Sequence, residues 1–176
     1  MITIRPWFIP TSLQRRRLSQ DQRDWLLDEG SLTKRLILLS NNNFGVEVVR
    51  NGWGMPARHE ANALGVCAHH AVFIREVILT CHGTPYVFAR SLIPAACLIG
   101  DMAHIRRFGN KSLGHFLFSS PRVTREPFQL CHLSGKDKVM PATLQGDNPL
   151  WGRRSVFNVG DKSLLVSEIF LSPFNL

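Results

Sequence analysis

The chain has 176 residues, 44% of them hydrophobic, which is enough for one sizeable core and gives no reason to expect two. Its 21 Lys and Arg against 13 Asp and Glu leave a formal charge of +8, a balance open to nucleic acid, an anionic membrane surface or a small anionic substrate. Apart from Arg15, Arg16 and Arg17 the basic residues are scattered among apolar stretches, and neither a zinc-finger nor a ribonucleoprotein-type motif occurs. Most of this charge therefore reads as solvated surface, and no nucleic-acid partner is expected.

The N-terminal MITIRPWFIP is too short and too broken by proline for a signal core, and no run reaches the roughly 18 apolar residues of a membrane span. Cys67, Cys81, Cys97 and Cys131 form no CxxC pair, so free thiols in a cytoplasmic protein are expected, without membrane insertion. No repeat or linker divides the chain. Charged residues around Trp25, Leu26 and Leu27 predict a helix over Ser19 to Glu29, with Gly30 as its stop, and Ser31 reads as the cap of a second helix carrying Leu32, Leu36 and Leu39. Asn41 to Asn43 predict a turn and Gly45 to Arg50 a strand. Residues 52–70, rich in Gly, Ala and His, read as a mobile cover or a long loop.

Two apolar runs, Phe73 to Cys81 and Tyr86 to Ile93, flank His82-Gly83, a two-residue hairpin turn. Strand alternation puts Phe73, Arg75, Val77, Leu79 and Cys81 on one face, so Arg75 intrudes on an apolar surface. If residue 81 pairs with 84, a regular ladder sets Arg75 opposite Arg90. Two like charges facing each other on a core face call for a counter-ion, and a bound anion is the economical answer. Further on, Ser112-Leu113 repeats the Ser31-Leu32 pattern of a helix start, whose free N–H groups can hold a ligand oxygen, although core packing explains both leucines equally well. A strand ending at Val159, a turn at Gly160-Asp161 and a strand over Leu164 to Leu171 close the chain. In the last strand Glu168 shares a face with Leu164, Val166 and Phe170. Carboxylates caught between burial and a nearby arginine are over-represented at functional sites, but Glu168 simply pairing with a structural arginine such as Arg153 is an equally weighted reading.

Four ordered blocks carry a resemblance. Asp24-Trp25-Leu26-Leu27-Asp28-Glu29-Gly30-Ser31-Leu32-Thr33-Lys34-Arg35, IREVIL around Arg75, KSLGHFLF around Leu113, and LWGRRS followed by SEIFLSP around Glu168 resemble the chorismate pyruvate-lyase family over about residues 20–173. The resemblance implies a single α+β domain over residues 1–176, with an antiparallel sheet of about six strands and helices enclosing an internal ligand pocket. It implies a carbon-oxygen lyase that needs no cofactor and no metal, converting chorismate to 4-hydroxybenzoate and pyruvate in the cytoplasm, as a first step toward ubiquinone. It further implies that Arg75 binds the ring carboxylate, that Glu168 binds the 4-hydroxyl, and that main-chain groups of Leu32 and Leu113 complete the site. Arg75 and Glu168 are the candidate catalytic groups, Arg90 a further substrate-binding candidate, and a monomer is expected.

Leu32 stands where family members often have methionine, Ala89 where a glycine is common, and Cys131 to Pro149 is longer than in compact members and is expected to form a surface loop. His59, His69 and His70 lack HExxH spacing, and Ser91 and Ser155 have no triad partners, so neither metal nor nucleophilic catalysis is supported. Two rivals from other classes are weighed. A non-catalytic effector-binding domain of the same fold expects a helix-turn-helix domain ahead of it, for which the roughly twenty residues before the resemblance leave no room. A nucleic-acid-binding module rests on net charge alone.

Overall fold

The left-handed backbone positions mark where the chain reverses. In the computed structural model, which describes residues 7–174 and Leu176, Asn41 and Asn42 (φ 48° and 67°) turn the chain out of a helix, His82 and Gly83 (φ 51° and 74°) form the central hairpin turn, and Gly160 (φ 64°) the last one. Paired positive φ values suit the right-handed twist of the flanking strands.

Three short helices come first: α1 (Ser12–Arg17), α2 (Gln20–Leu26) and α3 (Leu32–Leu39), with Thr11, Ser19 and Ser31 as their caps. The second helix ends before the expected glycine stop, because Asp28 folds the chain by accepting the Gly30 N–H at 3.0 Å. Strand β1 (Phe44–Gly54), α4 (Arg58–Leu64), β2 (Val72–Cys81) and β3 (Thr84–Ile93) follow. After 3-10 turns at Ala95–Cys97 and Gly100–Arg107 come α5 (Leu113–Ser119), β4 (Val123–Arg125), β5 (Gln129–Leu133), β6 (Leu150–Val159) and β7 (Lys162–Phe170). The strands make one antiparallel seven-stranded sheet in the order β1-β2-β3-β7-β6-β4, with β5 also paired to β6. The expected α+β single domain is observed, with seven strands in place of about six.

Both faces of the sheet are covered. Leu26, Leu32 and Leu36 from α2 and α3, and Leu113 and Leu117 from α5, pack on the face of Val77, Ala89 and Phe170. Ala63 and Leu64 of α4 pack on the opposite face against Ile74, Leu92 and Leu165. The reading of 52–70 as a mobile cover or long loop is corrected: residues 58–64 are helix, packed on the face of the sheet away from Arg75. The expected surface loop from Cys131 to Pro149 is corrected at its start, where Cys131–Leu133 belong to β5, with Cys131 and Leu133 buried; residues 134–149 lie outside the strands and carry one 3-10 turn, Ala142–Leu144. Cys67 is exposed and the other cysteines are buried, all free. Burial pushes the Cys131 thiol up to about 12, which keeps it unreactive. Among the described residues no helix is long and apolar enough to cross a membrane.

The hairpin register corrects a second expectation. Cys81 does pair with Thr84, but between Thr80↔Pro85 and Leu79↔Val87 the ladder slips by one residue, a β-bulge at Tyr86. Arg75 consequently faces Ser91, and Glu76 faces Arg90. Because side chains alternate, the slip sends Arg90 to the opposite face from Arg75. There its Nε bonds Glu60 Oε1 at 2.7 Å, its second side-chain nitrogen lies 3.1 Å from Glu60 Oε2, and it also pairs with Glu76. Arg90 is therefore a structural cation, and the expected apposition of two arginines on one face does not occur.

Burial pushes the Glu60 carboxyl up, but the hydrogen bonds and charge of Arg90 outweigh it and hold it below its ordinary 4.5. A depressed carboxyl stabilises the fold above its unfolded pKa, and that contribution fades as pH falls through the folded value. Glu60→Gln should cost about 2–3 kcal/mol at neutral pH, somewhat under the full penalty of a broken buried pair because Glu76 remains. Denaturant melts at pH 7 and pH 3 check this: the gap between variant and wild type should close on acidification.

Candidate active site

Register assigns the helix-covered face of the sheet to rows of side chains. Phe73, Ile93, Leu164 and Phe157 form one row, and Leu79, Val87, Phe170 and Trp151 form another. The two rows between them are Arg75-Ser91-Val166-Ser155 and Val77-Ala89-Glu168-Arg153. The outer rows belong to separate apolar clusters, so a polar seam divides the core of this face. A seam of this kind costs stability unless its groups are paired or hold a ligand.

Arg75 is 2% exposed. One of its terminal nitrogens donates to the carbonyls of Gly109 at 2.9 Å and Lys111 at 2.7 Å, while its buried Nε has no hydrogen-bond partner. Burial pushes the guanidinium pKa down from its ordinary value. Among the described residues no carboxylate lies in ion-pair contact with it. Its Nε is thus a buried directional donor with no acceptor among the described residues.

Glu168 lies one row away, across Ala89 and Ser91, and is paired to Arg153: Nε donates to Oε2 at 2.6 Å. Arg153 is 1% exposed and its NH1 also donates to the carbonyls of Trp25 and Asp28, each at 2.9 Å. Glu168 thus has the arginine partner foreseen as one reading, and this partner anchors the carboxylate to the α2–α3 loop. Arg125 was not singled out from the sequence. Its strand is only Val123–Arg125, too short for periodicity to mark, and its side chain turns toward the seam. Its Nε donates to Ser155 Oγ at 2.8 Å, and NH1 reaches the Glu29 carbonyl at 3.4 Å. The guanidinium lies 5.4 Å from the Phe157 ring centroid, 5.7 Å from Phe128 and 5.8 Å from Phe118. Burial, followed by the charge of Arg153, pushes its pKa down against the opposing charges of Glu168, Asp28 and Glu29.

Leu32 and Leu113 begin α3 and α5, at 3% and 4% exposure. Their helix starts meet: Thr33 and Ser112 share a hydroxyl hydrogen bond of 2.6 Å, and a Cβ on Gly114 would come within 3.1 Å of Thr33 Oγ1. Both leucine side chains pack in the core, so any role they have in binding belongs to their main-chain groups. Outside this junction a cleft of about 660 Å³ runs between α3, the start of β1 and α5, with Thr33, Lys111 and Ser112 in its wall. Arg75, Glu168, Leu32 and Leu113 thus lie on one side of the sheet and Arg90 on the other. Among the described residues there is no group of three or more His, Cys, Asp or Glu side chains able to hold a metal ion.

The fold defines a single-domain α+β protein with a buried polar seam on the helix-covered face of its antiparallel sheet. The GntR-family transcriptional regulator from Bacillus cereus is similar in fold, with a TM-score of 0.57 over 74% of this chain and 93% of that one at 14% identity. PhnF from Mycobacterium smegmatis gives 0.60 over 84% and 66% at 18% identity. In sequence, residues 3–175 match the family described as chorismate lyase. The "Probable chorismate pyruvate-lyase" of Pseudomonas fluorescens Pf-5 is 43% identical over 84% of this chain and 78% of its own length. Its namesake from Pseudomonas putida KT2440 is 37% identical over 93% and 87%. The chain belongs to the chorismate lyase family.

An unpaired buried cation and a paired one respond differently to removal. Arg153→Met strands Glu168 and two loop carbonyls and should cost about 3 kcal/mol or more. Arg75→Met strands the Gly109 and Lys111 carbonyls but no counter-ion, and should cost clearly less than Arg153→Met. Thermal melts of the two variants in the absence of ligand check the contrast.

Proposed function

We propose that this chain is a chorismate pyruvate-lyase, a carbon-oxygen lyase that converts chorismate to 4-hydroxybenzoate and pyruvate. The observation that carries this reading is the charge of the seam: the buried guanidinium of Arg75 has no carboxylate partner and shares its face with Glu168. In this reading Arg75 receives the ring carboxylate, Glu168 accepts the hydrogen bond of the 4-hydroxyl, and main-chain N–H groups at Leu32 and Leu113 hold further ligand oxygens. Ala89 and Ser91 fit the floor beneath the ring because they are small.

The reaction asks little covalent chemistry of the protein. The C3–O ether bond breaks, the C4 hydrogen moves to the enolpyruvyl methylene to form the methyl group of pyruvate, and the ring becomes aromatic. The C4 hydrogen lies on the same face as the ether oxygen, so the transfer can run through a six-membered array that the enzyme holds in place while it stabilises developing charge. In the second version Glu168 takes part as a general acid/base. The fold also suits a binding domain without turnover, given its likeness to transcriptional regulators, and chorismate conversion separates the two. As a lyase the chain would act as a cytoplasmic monomer at the entry to ubiquinone synthesis, and product would leave by parting the Thr33–Ser112 junction, which makes slow release of 4-hydroxybenzoate part of the reading.

Purified protein mixed with chorismate should yield 4-hydroxybenzoate and pyruvate in equal amounts, with or without EDTA. Arg75→Met should lower kcat/KM by about 10²–10³-fold, and Glu168→Gln retaining full turnover would exclude the acid/base version. Tight binding of chorismate with no conversion would identify a sensor instead.

A further inference from the structure

Chorismate carries two carboxylates, and Arg90, the further substrate-binding candidate, lies on the opposite face of the sheet from Arg75. We infer that Arg125, held by Ser155, is the binding subsite for the enolpyruvyl carboxylate; this rests on the lyase reading above. The two faces of the sheet can be compared. On the face away from the helices, the row Glu76-Arg90-Ser167-Arg154, with Glu60 reaching in to Arg90, sets two carboxylates against two guanidiniums. On the helix-covered face, Arg75, Arg125 and Arg153 meet one carboxylate in ion-pair contact, Glu168, which Arg153 already holds; Asp28, paired to Arg35, and Glu29 act on Arg125 from the α2–α3 loop without an ion-pair contact to it. The seam therefore keeps an excess of two positive charges, carried by Arg75 and Arg125, and a dicarboxylate neutralises it.

Position agrees with charge. Arg75 and Ser155 end one row across β2, β3, β7 and β6, about 14 Å apart at the backbone given the usual spacing between strands. One guanidinium stands at one end of that row, and Arg125 is tied to its other end through Ser155 Oγ at 2.8 Å. Glu168 lies between them, one row over. A ring with its carboxylate toward Arg75 and its 4-hydroxyl toward Glu168 carries its C3 substituent next to that hydroxyl, on the Arg125 side. Three phenylalanine rings pack about the Arg125 guanidinium, limiting its access to water and strengthening its pull on a carboxylate. Arg125 also reaches the Glu29 carbonyl of the α2–α3 loop, so a ligand there bears on the segment that leads into Leu32.

The product separates this role from a scaffolding one, because 4-hydroxybenzoate lacks the second carboxylate. Steady-state kinetics with chorismate and calorimetric titration with 4-hydroxybenzoate are compared for wild type, Arg125→Met, Arg125→Lys and Ser155→Ala, with Arg75→Met as reference. Arg125→Met should raise KM for chorismate roughly ten- to hundred-fold, the range for a lost charge-assisted hydrogen bond, while Kd for 4-hydroxybenzoate moves less than about threefold. Arg125→Lys should recover part of the loss, Ser155→Ala should show a smaller loss of the same kind, and Arg75→Met should weaken both ligands. Equal losses for both ligands, or no change in either, would overturn the subsite while leaving the lyase reading intact. If Arg125→Met does not fold, the same comparison on Arg125→Lys and Ser155→Ala decides it. Wild-type protein that binds 4-hydroxybenzoate but converts no chorismate would overturn the lyase reading itself.

Discussion

One extra residue in β3 decides which face of the sheet each arginine of the central hairpin joins. Without the bulge at Tyr86, the hairpin set by His82-Gly83 would carry its register straight down to Arg75 and Arg90, and two cations would face each other in the core. With it, Arg75 faces Ser91 and the pair Glu76-Arg90 passes to the other side. The same shift aligns Val77 with Ala89 and, through β3, with Glu168 on β7. A slip of one residue exchanges the faces of every side chain beyond it, so the composition of both polar rows follows from this local irregularity.

The two rows make an instructive contrast. Burying charge is expensive, and a buried pair at best roughly recovers its desolvation cost. On the α4 side the cost is met within the protein, where Arg90 has two carboxylates. On the helix-covered side it is met for Arg153 and left open for Arg75 and Arg125. Proteins tolerate such a deficit where binding supplies the missing partner, at some loss of stability in the free state. In the proposed reading the seam is the place where fold stability is given up for affinity, and melting behaviour is expected to distinguish Arg75 from Arg153 although both are almost fully buried.

Much of the fold was legible because turn chemistry and alternation are local. Asn41-Asn42, His82-Gly83 and Gly160 mark reversals that any reading of backbone preference finds, and alternation alone placed Arg75 and Glu168 among apolar neighbours. The bulge was not read, since Tyr86, Val87 and Phe88 are all apolar or aromatic and either parity buries one of them. Pro85 was the available signal: a proline lacks the N–H that a strand between two neighbours must offer, and it is tolerated at strand starts and bulges. Residues 58–64 were read as a cover or loop because their helix is about two turns long, and it is held by distant partners, packing on Leu92 and Leu165 and pairing of Glu60 with Arg90. Arg125 escaped for a different reason. Its strand is three residues long, and its role in the seam depends on Ser155, thirty positions away.

The cations of the seam also hold its cover. Arg153 bonds the Trp25 and Asp28 carbonyls and Arg125 the Glu29 carbonyl, so the end of α2 and the α2–α3 loop close on the groups proposed to receive the ligand. A carboxylate arriving at Arg125 competes with a long 3.4 Å contact to a neutral carbonyl and prevails, because a charged acceptor binds a guanidinium about twice as strongly. Arg153, with two short main-chain bonds and Glu168, keeps its hold on the loop while this happens. One arginine therefore fixes the loop to the floor whether or not ligand is bound, and the other exchanges a loop contact for a ligand contact. Departure of pyruvate, which carries the second carboxylate away, returns Arg125 to Glu29, and 4-hydroxybenzoate then has only its contacts at the Arg75 and Glu168 ends to give up.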